Sequence, residues 1–106
     1  MGSHSAEKNP RIRRVLTFSN PELVSGLCGE QNAHLHLLEK KIGLSIHLRG
    51  NQFTLQGGDW EVELAKKVLN QLHELLESDY PIFLNDIEHA IRILSGDQSA
   101  NLKKIF

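Results

Sequence analysis

Leu27-Cys28-Gly29-Glu30-Gln31-Asn32-Ala33-His34-Leu35 is a glycine-centred turn between two stretches of helical spacing, and the reading of the whole chain depends on it. Upstream, Asn20 can cap a helix start, Pro21 lacks only an N–H that would be orphaned there, and Glu22 favours the positive end of the helix dipole. This predicts a short first helix from Pro21 to Leu27, which Gly29 interrupts. Downstream, Leu35, Leu38 and Ile42 recur at spacings of three and four, so a second helix is expected from Glu30 or Asn32 to Lys41, with Gly43 as its stop. Backbone N–H groups left free where a helix begins can receive an anion, which makes the turn a candidate phosphate contact.

Working outward, Arg11 to Phe18 alternates as a strand with Leu16 and Phe18 on its core face, and Phe18 can staple onto Val24. Ser45–Arg49 and Gln52–Gln56 alternate on either side of the turn dipeptide Gly50-Asn51, which predicts a β-hairpin burying Ile46, Leu48, Phe53 and Leu55. Gly57-Gly58 is expected to break the strand and Asp59 to cap a long helix whose stripe is Ala65, Val68, Leu69, Leu72, Leu75 and Leu76. Pro81 ends that helix. A last helix carries Leu84, Ile87, Ile91 and Leu94, with Asn85 and Glu88 at capping-box spacing and Gly96 at its close. The expected order is β-α-α-β-β-α plus a C-terminal helix: an α+β fold with a three-stranded antiparallel sheet and helices on one face. Residues 1–10 read as a polar lead or cloning remnant, 11–96 as the domain and 97–106 as a tail.

At 106 residues the chain has room for one domain, and 40% hydrophobic with 24% charged residues is the composition of an ordinary soluble one. No apolar run is long enough to cross a membrane, and no secretory signal pattern opens the chain. A net charge of −1 gives no overall basic field, so any nucleic-acid contact must come from a local patch. Cys28 is the only cysteine, which excludes an internal disulfide and a cysteine-rich zinc site and suits a reducing, cytoplasmic setting. The six histidines show no metal-binding spacing; His34 and His36, two apart, point to different faces of a helix.

The element order with a glycine turn between its first two helices resembles the type I KH domain, whose Gly-x-x-Gly loop clamps a single-stranded nucleic-acid backbone. The run Leu27-Cys28-Gly29-Glu30, Asn32, Leu35, Leu38-Glu39, Ile42-Gly43-Leu44, Ile46, Arg49-Gly50-Asn51, Leu55 and Gly57 is similar to the N-terminal KH-like domain of the PhoH-like family, and Asp86-Ile87 with Ala90-Ile91 extends the likeness. These are bacterial proteins named for phosphate starvation, in which a P-loop ATPase domain follows this one. The resemblance implies an accessory single-stranded-RNA-binding domain partnered by its own C-terminal ATPase domain, with ATP and magnesium held there and no cofactor here. No GxxxxGK[ST] string occurs in this chain, so it is expected to lack catalytic activity and to be part of a longer protein. A protein-interaction or homo-oligomerising domain that has lost RNA contact is the alternative.

Carried onto this sequence, the KH loop is Gly29-Glu30-Gln31-Asn32, with Asn32 where the family pattern has its second glycine. Asn tolerates left-handed backbone angles, so the turn can survive, whereas Glu30 would repel a phosphate. In a KH-type groove Lys40, Lys41, Ile46, Leu48 and Arg49 would flank the bases. The lysines also suit the negative end of their helix, and Ile46 and Leu48 suit plain core. Arg11, Arg13 and Arg14 form the densest basic cluster, fit for salt-sensitive phosphate contact or for guarding an edge strand. Cys28 reads as a small buried hydrophobe ahead of a nucleophile, and Trp60 as a cover for the sheet edge or a platform for a base.

Overall fold

The computed structural model describes residues 11–106; the lead expected over 1–10 lies outside the described residues. Strand β1 (Arg11–Thr17) leads into helix α1 (Pro21–Cys28), a 3-10 turn over Glu30–Asn32, helix α2 (Ala33–Leu38) and a π-helical turn over Glu39–Gly43. Strands β2 (Ser45–Arg49) and β3 (Gln52–Gly58) follow, then the long α3 (Asp59–Glu77), α4 (Leu84–Gly96) and the short α5 (Leu102–Ile105). The sheet is antiparallel in the order β1-β3-β2, so the α+β expectation holds.

Register decides which face each side chain occupies. Leu55 lies between Arg14 and Ile46, and Phe53 between Leu16 and Leu48, which places the apolar set of all three strands on the face covered by α3. The predicted stripe of α3 is buried from Ala65 to Leu75, with Leu76 half-buried and Val62 and Leu64 added to the core. Phe18 packs edge-on to Phe53 and stacks on the ring of His73. Asn20 caps α1 as expected, its side chain accepting from the Glu22 amide at 2.9 Å.

Three local expectations are corrected. Gly57-Gly58 does not break β3, because both glycines pair with Ile12 and Arg11, and a side chain at 57 would sit 3.1 Å from the Leu44 Cβ. Gly58 is therefore the cap position and Asp59 already helical. The cap of α4 is Phe83, two residues before Asn85; the Phe83 amide donates to the Asp86 carboxylate at 2.9 Å, so the reciprocal bond of the start comes from Asp86, and Leu84, the first helical residue, is exposed. The segment 97–106, expected as a tail, is held on α3: Gln71 donates to the Ala100 carbonyl at 2.8 Å and accepts from the Leu102 amide at 2.7 Å, and Leu102 is fully buried.

The long helix ends in a Schellman-type turn. The Tyr80 amide bonds the Leu75 carbonyl, the Asp79 amide bonds that of Leu76, and Asp79 takes the left-handed conformation usually given to glycine. This delivers Ile82 to the core and Phe83 to the surface beside the glycine turn.

Candidate nucleic-acid interface

The turn between α1 and α2 is built on three residues of positive φ, Gly29, Gln31 and Asn32. Gly29 has φ 74° and ψ 176°, a region open essentially to glycine alone, while Gln31 (54°, 32°) and Asn32 (60°, 28°) are left-handed helical. Asn32 thus adopts the backbone angles that its side chain tolerates. Gly29 is needed a second time, because a Cβ there would lie 2.7–2.8 Å from the His34 ring. That ring is buried, and its Nδ1 donates to the Leu27 carbonyl at 3.1 Å, tying the start of α2 to the end of α1.

Beside this turn lies a cleft of about 870 Å³, lined by Gly29, Glu30, Gln31 and Ala33 on one side and by Ile82, Phe83, Leu84 and Asn85 on the other. A shallower extension of about 400 Å³ continues past His36 and Leu37 to Lys40. Phe83 is 61% exposed and Leu84 49%, so an aromatic ring and an aliphatic side chain stand open next to the loop. Sequence reasoning missed both. Their signal was the short Pro81-Ile82-Phe83 link, in which one apolar residue must face out if its neighbour faces in.

The remaining predicted site residues are only partly gathered. Lys40 reaches the cleft, but Lys41 turns towards α4 and pairs with Glu88 at 3.6 Å. Ile46 is buried and Leu48 half-buried on the inner face of the sheet, consistent with core. Arg49 stands at the far end of β2, in the row of Gln52 and Thr17 on the opposite face. The edge of β2 facing α2 is partly occupied too: the Ile46 amide donates to the Glu39 carboxylate at 2.8 Å, and the other oxygen of that carboxylate lies 3.5 Å from His36 Nδ1. Glu39 therefore spans the gap between helix and edge strand where a KH groove would run.

Other candidates resolve simply. Cys28 is buried, burial pushes its thiol above the ordinary range, and His34 spends its Nδ1 on a carbonyl, so no activated cysteine is present at this helix end. Trp60 is 51% exposed at the start of α3, away from both clefts. Arg14 lies 3.7 Å from Glu63 of α3. Among the described residues no cluster of three or more His, Cys, Asp or Glu side chains could hold a metal ion, and no helix is long and apolar enough to cross a membrane.

The chain is similar to curated proteins named PhoH-like protein. That of Mycobacterium tuberculosis (strain ATCC 25618 / H37Rv) is 33% identical over 76 residues, covering 72% of this chain and 22% of the relative. The Mycobacterium leprae (strain TN) relative is 30% identical over the same length. That of Bacillus subtilis (strain 168) is 31% identical over 98 residues, 92% of this chain and 29% of the relative. The chain thus spans between 22% and 29% of the length of these relatives. No family model matches it, and no solved structure matches it.

Proposed function

Because the chain belongs to the PhoH-like family through a segment much shorter than its relatives, we propose that it is an accessory module that binds single-stranded RNA and carries no catalytic activity of its own. In this reading it delivers nucleic acid to a P-loop ATPase domain of the longer protein, where ATP and magnesium act, and it works in the cytoplasm. The observation that carries the reading is the cleft itself: a Gly29–Asn32 turn of KH-like placement faces exposed Phe83 across a volume that admits a splayed base. Aromatic stacking tolerates any base and contributes about 1–3 kcal/mol per base, enough to offset weak phosphate contact at a loop that holds Glu30.

One set of observations favours the second reading, a protein-contact or self-associating domain. The cleft's ionic lining beside the loop is Glu30, Lys41 is turned away to Glu88 at 3.6 Å, and Phe83 with Leu84 form an apolar pair suited to a protein partner. An NMR titration of the isotope-labelled chain with a mixed-sequence single-stranded RNA, at low and at high salt, separates the two. RNA binding in the cleft moves the amides of Gly29–Asn32, Lys40 and Phe83–Asn85 in a salt-sensitive way, and Glu30→Lys tightens it several-fold. An unshifted spectrum at low salt and millimolar RNA removes the RNA reading and leaves the protein contact.

A further inference from the structure

The face of the sheet turned away from the helices is unpartnered among the described residues, and its composition departs from that of the chain. Register carries onto it Arg11, Arg13, Val15 and Thr17 from β1, Gln52, Thr54 and Gln56 from β3, and Ser45, His47 and Arg49 from β2. The chain has 13 acidic residues against 12 basic ones, yet this face holds three arginines and no carboxylate. None of Arg11, Arg13 and Arg49 forms an ion pair among the described residues, whereas Arg14, one step out of register on β1, points to the helix side and lies close to Glu63. Arg13 and Arg49 stand at opposite corners, about 17 Å apart along the diagonal of an untwisted sheet grid, with Thr54 at its midpoint, Gln56 beside Arg13 and Gln52 beside Arg49.

We propose that this face is a second contact surface for the phosphodiester backbone of single-stranded nucleic acid, separate from the cleft at Gly29. The arginines supply forked donors to phosphate at both ends of the diagonal, and the glutamine amides beside them offer donors and acceptors to base edges. Charge placed only to protect edge strands does not require that carboxylates be absent, nor that the central strand be lined with amides. A protein partner fits poorly, because Val15, 48% exposed, is the only large apolar side chain on the face. Burying the surface under protein would desolvate arginines and amides with little apolar area in return. Phosphate, by contrast, meets the arginines while water still reaches the rest.

The test is fluorescence anisotropy of a labelled mixed-sequence 12-nucleotide single-stranded RNA with the 106-residue chain across a salt series. Arg13→Glu with Arg49→Glu is expected to weaken binding at least ~tenfold at low salt and to make the slope of log K against log salt shallower by about 1.4, close to 0.7 for each phosphate contact removed. Arg13→Lys with Arg49→Lys restores the slope. Phe83→Ala, which probes the cleft, weakens binding without changing the slope. If the arginine reversals leave affinity and slope as in the wild type while Phe83→Ala abolishes binding, the sheet face is overturned and the cleft reading stands. The converse result upholds the sheet face and removes the cleft. A wild type that binds no RNA at low salt overturns both. Displacement of the RNA by poly-L-glutamate as effectively as by unlabelled RNA overturns the nucleic-acid assignment in favour of an acidic polypeptide.

Discussion

Gly29 and Gly50 both turn the chain with a positive φ, 74° and 62°, but they do so in opposite surroundings. Around Gly50 there is open space, and the hairpin is secured from the next residue: the Asn51 side chain donates to the Phe18 carbonyl at 2.8 Å while the Phe18 amide donates to the Asn51 carbonyl at 3.2 Å. Around Gly29 the space is filled by the buried imidazole of His34. One glycine answers a backbone requirement alone; the other answers a backbone requirement and a packing requirement together. The difference teaches that the candidate interface rests on a turn whose shape is set from beneath, so its backbone stays in place when its exposed residues are changed.

The sharpest way to break the comparison is Gly29→Ala. Its cost combines a backbone region nearly closed to side chains, an overpacked contact with the ring, and loss of the His34 bond to Leu27 as the ring moves. Together these come to about 3–5 kcal/mol, seen as a large drop in the urea midpoint or as failure to fold. A double-mutant cycle with His34→Ala apportions it: with the ring gone, Gly29→Ala should cost only the backbone share, about 1–3 kcal/mol. An unchanged cost in that background would show that the imidazole does not press on the glycine.

The turn was legible from one glycine between two helical spacings, and so was the hairpin from Gly50-Asn51, because both signals are local. The α3 stripe was legible because its period persists over about three turns, from Ala65 to Leu76. What escaped was decided at long range. Leu102 reads as part of a tail until Gln71, 31 positions earlier, bonds its amide. Gly57-Gly58 reads as a breaker until the pairing with β1 carries it on as strand and Leu44 approaches to where a Cβ at 57 would lie 3.1 Å from its own. Among the site residues, Lys41 was eligible as a phosphate contact until α4 brought Glu88 to it, and Phe83 became eligible only once the chain reversal at Asp79 carried it beside Gly29. Asp86 shows a subtler failure: its distance to Phe83 carries a capping signal, but Phe83 has no side-chain acceptor, so the usual polar cap residue is missing from the pattern.

Gly50→Ala is the smaller counterpart. With nothing within 4 Å of the new methyl, the substitution should cost only the strain of positive φ, about 1 kcal/mol, a modest fall in melting temperature with the fold retained. A cost equal to that of Gly29→Ala would erase the distinction between the two turns.

The finest test lies inside the candidate loop, where Gln31 and Asn32 both hold left-handed angles without being glycine. Gln31 has no short polar side chain to ease that conformation, so Gln31→Gly should stabilise the chain by about 0.5 kcal/mol, the relief of strain being partly offset by the freer unfolded chain. Asn32→Gly, which recreates the Gly-x-x-Gly form, should gain less, because asparagine already visits this region readily. Calorimetry on the two variants ranks them. If Asn32→Gly gains more than Gln31→Gly, then Asn32 is held under strain and a second glycine at this position would serve stability. If the order is as expected, the departure from Gly-x-x-Gly costs this chain almost nothing in its fold, and what distinguishes the loop is the charge of Glu30 beside it.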